Sequence, residues 1–176
     1  MINAFYQNVL SSEVVGSLQN YALSADYQPV EQLYSDSVYQ STSVHRLPHG
    51  HPVEKPIVHS MMKVNSEYYN YDLFGTFEIQ FLKYSVGGKY DWHCDYGVSE
   101  HPSGPRKLSL SIQLSSCWDY SGGDVVIKEW HDRETRLERE VGTVMVFDSR
   151  VPHKVMPILE GERYSVVAWA HGPQLR

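Results

Sequence analysis

Two periodicities divide the chain. In "SEVVGSLQNYALS", from Ser12, apolar residues recur at helical spacing; a short helix is predicted there, with Ser12 as its N-cap. A second helix is expected after Pro56, because Ile57, Met61, Val64 and Tyr68 fall on one helical face. Residues 35–56, rich in Ser, His and Pro, read as an irregular surface segment. From Gly75 onward the period drops to two. "TFEIQFLKY" alternates Phe77, Ile79 and Phe81 with Glu78, Gln80 and Leu82. "KLSLSIQL" sets Leu108, Leu110, Ile112 and Leu114 against Ser109, Ser111 and Gln113. "DVVIKEW", "TVMVFD" and "RYSVVAWA" are further strands between Gly, Pro and Asp punctuation.

Helices followed by many short strands predict a mainly β fold with flanking N-terminal helices and an antiparallel body. Two packed sheets or a double-stranded β-helix (a jelly roll, cupin-like) suit that pattern. The expected division is one domain, with residues 1–74 as helical and loop support and 75–173 as the jelly-roll core. On an ordinary two-layer sheet Ser109, Ser111 and Gln113 would face solvent. In a jelly roll they could line a wet central cavity, where a polar cosubstrate would sit.

Composition narrows the function classes. With 176 residues, 41% hydrophobic and 20% charged, the chain can bury one ordinary core. Fifteen Lys and Arg against 21 Asp and Glu give −6, which disfavours nonspecific binding to nucleic acid or anionic membranes. The 13 Tyr and 4 Trp suit strands and pocket walls. Two cysteines, Cys94 and Cys117, without a Cys-x-x-Cys pair, argue against a disulfide framework and a thiolate zinc site. "MINAFYQNVL" lacks the basic start and apolar core of a signal peptide, and no apolar stretch approaches the roughly 20 residues that span a bilayer. The expectation is a soluble, reduced, cytoplasmic protein.

The candidate chemistry begins at "YDWHCDYG". On a strand, His93 and Asp95 project to one face and can reach one ion, while Cys94 points away. The pair alone fits equally a strand edge where His and Asp bond locally. A third candidate ligand is His153 in "FDSRVPHKV", which only a folded sheet could bring to Asp95. Two imidazoles and a carboxylate on one face of a metal leave positions open, the arrangement of non-haem Fe(II) sites. In "ERYSVVAWA", Arg163, Ser165, Val167 and Trp169 share one strand face. There Arg163 could hold a carboxylate in a bidentate fork, with the Ser165 hydroxyl as a further donor.

With these pieces in place, the segment from about Phe77 to Pro173 resembles the Fe(II)- and 2-oxoglutarate-dependent oxygenases, in the prolyl/lysyl hydroxylase-type (prolyl 4-hydroxylase-like) branch. The matching motifs, in family order, are "KYSVGGKYDWHCD", "RKLSLSIQLS", "DYSGGDVVI", "GTVMVFDSRVPHKVMPI" and "GERYSVVAWAHGP". The resemblance implies Fe(II) held by His93, Asp95 and His153. It also implies 2-oxoglutarate anchored by Arg163 and Ser165, with Tyr84 and Gln113 facing it. O2 would be the oxidant and ascorbate a candidate reductant. Trp169 matches an aromatic of the pocket lining; Gly122 and Gly123 match a turn. Asp148 departs from the branch, which commonly has proline there. A second Arg that marks nucleic-acid demethylating relatives is replaced by Trp169, which argues against nucleic acid as substrate.

The implied substrate is a peptide or protein, with proline the first residue to test. A free amino acid or other small molecule is the alternative, as is a jelly-roll protein that keeps a metal site without catalysis. Tyr90 and Trp92 flank the ligands and could pack on a proline ring, or could simply be core. Residues 96–106, "YGVSEHPSGPR", read either as a lid over the iron or as a plain connection. His45, His49 and His51 in "HRLPHGHP" have no suitably spaced carboxylate and read as solvated loop histidines.

Overall fold

Where the pattern has a helical period the chain is helical. Helix α1 (Ser12–Ser24) buries Val15, Leu18 and Ala22, and α2 (Glu54–Val64) buries Ile57, Met61 and Val64. These coordinates are a computed structural model, which describes residues 5–34, 37–97 and 104–174. The N-cap of α1 is Ser11, one residue earlier than the pattern indicates, and its side chain accepts from the Val14 N–H. Pro56 lies inside the first turn of α2, where backbone N–H groups have no intrahelical acceptor and a missing one costs nothing. Tyr68 does not join the buried stripe. A π-helical turn, Asn65–Tyr69, widens the helix there and leaves Tyr68 exposed.

The other main elements among the described residues are strands. They are β1 (Phe5–Val9), β2 (Gln28–Tyr34), β3 (Ser37–Arg46), β4 (Phe77–Tyr84) and β5 (Lys89–His93). After them come β6 (Arg106–Gln113), β7 (Tyr120–Gly122), β8 (Val125–Lys128) and β9 (Glu134–Arg136). The last four are β10 (Thr143–Asp148), β11 (His153–Val155), β12 (Ile158–Gly161) and β13 (Arg163–His171). The large sheet runs β1-β10-β6-β13-β4-β3-β5-β11-β8-β9, with β2 on β3, and β12 pairs β7 separately. Every pairing among the described residues is antiparallel. One strand joins the two halves: β3 pairs β4 through Ser43–Arg46 and β5 through Gln40–Ser41. The sheet therefore curls over itself.

Strand alternation sorts its two faces. Phe77, Ile79 and Phe81 of β4, Leu108, Leu110 and Ile112 of β6, and Val166, Ala168 and Ala170 of β13 pack in one core cluster. Leu18 and Ala22 of α1 and Ile57, Met61 and Val64 of α2 complete it. The other face of the same strands presents Leu82, Tyr84, Ser109, Ser111, Arg163, Ser165, Val167 and Trp169 to a cavity. The serines expected to be wet or solvent-facing are thus inside the curl.

The segment 35–56 is not irregular throughout. Ser37–Arg46 within it is β3, and the described residues up to 74 contribute three strands as well as two α-helices. The buried positions of β3 include Gln40, Thr42 and Val44, and Gln40 and Val44 line the cavity. Polar residues facing inward erase the apolar alternation that marks a strand in sequence. Most of the expected lid falls on residues 98–103, which lie outside the described residues. No helix among the described residues is long and apolar enough to cross a membrane.

The Gly-Gly turn is structural. Gly122 has φ +73°, and a Cβ there would lie 2.2 Å from the Pro157 carbonyl oxygen; at Gly123, φ is +65° and a Cβ would meet Ile158 Cδ1 at 2.3 Å. Gly122→Ala is therefore expected to lower stability by about 2 kcal/mol or more, read as a lower denaturation midpoint.

Candidate active site

Strands β5 and β11 pair with His93 opposite His153, and their ring centroids are 4.2 Å apart. Asp95 follows the end of β5, where its N–H donates to the Ser149 carbonyl at 2.9 Å. This places its carboxylate at both rings: Oδ1 is 3.8 Å from His93 Nε2 and Oδ2 is 3.5 Å from His153 Nε2. One ligand atom from each residue lies within 4.8 Å of the others. Among the described residues this is the one such group of three.

The tautomers follow from the backbone. His93 Nδ1 donates to the Asp91 carbonyl at 2.7 Å, and His153 Nδ1 to the Val151 carbonyl at 3.0 Å. A carbonyl can only accept, so each Nδ1 carries its proton and each Nε2 keeps a lone pair for the centre. Burial, helped by His153 and opposed by Asp95, lowers the His93 pKa to about 4. Burial pushes Asp95 up, but His153, His93 and hydrogen bonds from Ser109 and Trp169 outweigh it and leave its pKa lowered. At neutral pH His93 is uncharged and Asp95 ionised, the protonation states a divalent cation requires. This donor set fits Fe(II): two imidazoles and one carboxylate on one side, without thiolate.

A second layer holds the carboxylate. Ser109 Oγ donates to Asp95 Oδ2 at 2.7 Å and lies 2.9 Å from Ser149 Oγ; both serines are buried. Because the Ser109 proton is committed to Asp95, Ser149 is the donor to Ser109. Ser109→Ala is expected to weaken Fe(II) affinity about 10- to 100-fold, with little loss of fold, as an anaerobic metal titration would read. Ser109 was visible on the polar face of "KLSLSIQL". Its partner across the sheet was not.

The cavity beside the triad has a volume of about 280 Å³. Arg163, 3% exposed, lines it, with Nε donating to Gln113 Oε1 at 3.1 Å and Nη1 to Ser165 Oγ at 3.3 Å. Among the described residues no carboxylate pairs with Arg163. Gln113 stands behind it: its Nε2 donates to the Ser115 carbonyl at 2.8 Å and the Tyr120 hydroxyl at 3.0 Å. With its amide engaged on both sides, Gln113 acts through Arg163, and it is absent from the cavity lining. Tyr84 is buried, its ring centroid 5.7 Å from the Arg163 guanidinium carbon. Burial pushes its pKa up to about 12, so the phenol stays protonated as a donor.

Strict alternation would put Tyr90 and His93 on opposite faces. Instead, two steps along β11, His153 to Val155, match three along β5, His93 to Tyr90. The bulge brings Tyr90 onto the triad side, stacked on His93 with 3.5 Å between centroids and 15° between planes. Trp92 goes the other way. Its ring sits under Lys154 and Lys128, whose Nζ atoms are 4.4 and 5.1 Å from the centroid, outside the cavity lining. Trp169 lines the cavity with the Arg106 guanidinium 3.8 Å above it, a stacking that the sequence reading missed.

Other candidates resolve locally. His45 meets the Tyr21 hydroxyl through Nε2 at 2.9 Å and donates from Nδ1 to the Asp26 carbonyl at 2.8 Å, a packing role. Cys94 Sγ points to the Arg150 carbonyl at 3.3 Å, and burial raises its pKa. Asp148, the departure from proline, is buried and bonds both Tyr71 and Arg150.

The chain matches the family model described as "2OG-Fe(II) oxygenase superfamily" over residues 79–171, just over half its length. It is 28% identical over 135 residues to the PKHD-type hydroxylase PiuC of Pseudomonas aeruginosa, covering 70% of this chain and 58% of that protein. To the PKHD-type hydroxylase PCC7424_1929 of Gloeothece citriformis it is 33% identical over 89 residues, covering 51% and 40%. The chain thus spans less than two thirds of these curated relatives. In fold it is similar to a Pseudomonas putida prolyl-4-hydroxylase, with TM-score 0.76 and 21% identity over 97% of this chain and 94% of the other. A prolyl hydroxylase from Trichoplax adhaerens, solved with a hypoxia inducible factor oxygen degradation domain peptide fragment, gives TM-score 0.74 and 18% identity, covering 96% and 84%. At these identities the structural likeness concerns the fold: a curled jelly roll with two helices.

Proposed function

The chain belongs to the 2OG-Fe(II) oxygenase superfamily, and from that premise we propose that it hydroxylates a residue within a peptide, proline before others. The observation that carries the proposal is a single cavity holding both the His93, Asp95 and His153 donor set and a buried Arg163 without a carboxylate partner among the described residues. An unpaired guanidinium inside a protein is costly, so such a site is built to receive an anion. The names of the relatives and the peptide in the Trichoplax structure support a peptidyl substrate.

Each residue then has a task. Nε2 of His93 and His153 and the Asp95 carboxylate hold the iron. Bound with 2-oxoglutarate, it supplies the oxidising chemistry that inserts one oxygen atom of O2 into a C–H bond. Arg163 grips the distal carboxylate of 2-oxoglutarate in a fork, fixed from behind by Gln113. Ser165 accepts from Arg163, which leaves its own proton to donate to the same carboxylate. The Tyr84 phenol is a further donor beside it. Leu82, Met145, Phe147, Val155 and Val167 form an apolar wall that keeps water out. Tyr90, held on His93, offers a ring face to the substrate, and Trp169 steadies Asp95.

The test is mass spectrometry of a proline-containing peptide library incubated with protein, Fe(II), 2-oxoglutarate and ascorbate as reductant. One oxygen added at proline, matched by succinate, is the expected result. Coupled turnover with free amino acids alone would replace the peptide by a small molecule.

A further inference from the structure

The lining of the cavity carries three guanidinium groups, Arg46, Arg106 and Arg163, against one carboxylate, Asp95. Filling the site does not balance it. A divalent iron is offset by Asp95 and one carboxylate of 2-oxoglutarate. The other carboxylate offsets Arg163. Arg106 is neutralised from behind by Glu78, whose Oε2 accepts from its Nη2 at 2.7 Å. One positive charge is left over. Arg46, at the end of β3, is exposed and pairs with no acid among the described residues. In a chain of net charge −6, an uncompensated cation at this cavity is a feature to explain.

The neighbours of Arg46 have a chemistry of their own. It sits opposite Gln80 of β4 in the ladder, and Gln40 of β3 sits opposite Gln32 of β2. All four line the cavity. The side-chain amides of Gln32, Gln40 and Gln80 have no hydrogen-bond partner among the described residues. An amide presents a donor and an acceptor side by side, matching the alternating N–H and C=O of an extended backbone. Two cross-strand pairs thus give three free amides and one free guanidinium on the side of the cavity built by β2, β3 and β4.

We propose that the substrate is an acidic peptide: Gln32, Gln40 and Gln80 meet its backbone, and Arg46 pairs with an Asp or Glu side chain near the hydroxylated residue. This deepens the peptide reading above and rests on it. Arg46 is then a specificity residue, outside the cosubstrate and iron sites. Its exposure limits the gain to a few-fold and makes the preference sensitive to salt.

The experiment is an array of blocked heptapeptides with a central proline, in which each flanking position carries Glu, Gln or Lys in turn. Turnover is read with Fe(II), 2-oxoglutarate and ascorbate as one added oxygen and as succinate. At one flanking position or more, Glu should exceed Gln about fivefold in kcat/KM, with Lys below Gln, and the preference should shrink at about 0.5 M salt. Arg46→Glu should invert the order of Glu and Lys at that position. Equal turnover of the Glu, Gln and Lys peptides at every position, or an acid preference that survives Arg46→Glu, overturns this inference and leaves the peptide reading standing. Turnover of none of the peptides overturns both.

Discussion

Replacing Asp95 with alanine is expected to weaken Fe(II) binding by about three orders of magnitude or more while the protein stays folded. The carboxylate is the one negative charge among the three ligands, and it lies 3.8 and 3.5 Å from the two Nε2 atoms it joins. Without it His93 also loses the interaction that opposes its lowered pKa, so the neutral ring remains but the charge balance of the site does not. The fold should survive because Asp95 contributes its backbone N–H to Ser149 whatever its side chain. Anaerobic titration reads the metal, and circular dichroism reads the fold. Undiminished iron affinity in Asp95→Ala would remove the triad from the account.

Arg163→Met should abolish 2-oxoglutarate binding, a loss of order 3–5 kcal/mol by analogy with broken buried ion pairs. Its effect on the protein alone has a different sign. Without cosubstrate, the buried guanidinium rests on the neutral acceptors Gln113 and Ser165, so an apolar side chain of similar length should leave Tm unchanged or higher. Wild type should gain Tm when 2-oxoglutarate and a divalent metal are added, and Arg163→Met should gain only from the metal. Arg163→Lys keeps the charge but loses the fork, and should recover part of the affinity. A Tm rise with 2-oxoglutarate that is equal in wild type and Arg163→Met would refute the anchor.

Much of the body was legible because each strand of the main sheet separates an apolar face from a polar one. Leu108, Leu110 and Ile112 fall to the helices, and Ser109 and Ser111 to the cavity, as period two requires. Strand β3 was not legible, because its cavity-facing positions include Gln40 and Arg46 and so lack an apolar stripe. Trp92 stands outside the cavity lining, as alternation from the adjacent His93 requires, whereas Tyr90 enters it against alternation. A bulge shifts phase within a strand, and a residue count cannot show where the extra residue falls.

Residue order alone supplies the donor groups and the face of a regular strand on which each stands. His-x-Asp, the later His153 and the Arg-x-Ser pair suffice for that, since side-chain direction follows from local backbone geometry. What those faces meet depends on how the strands pair across the curled sheet. Ladder pairing set His93 opposite His153, put Ser149 behind Ser109, left Arg163 without an acid among the described residues, and brought Arg46 and three glutamines of β2, β3 and β4 to one cavity. These are contacts between residues tens of positions apart. Their energies depend on burial and partners, which exist only once the sheet has curled.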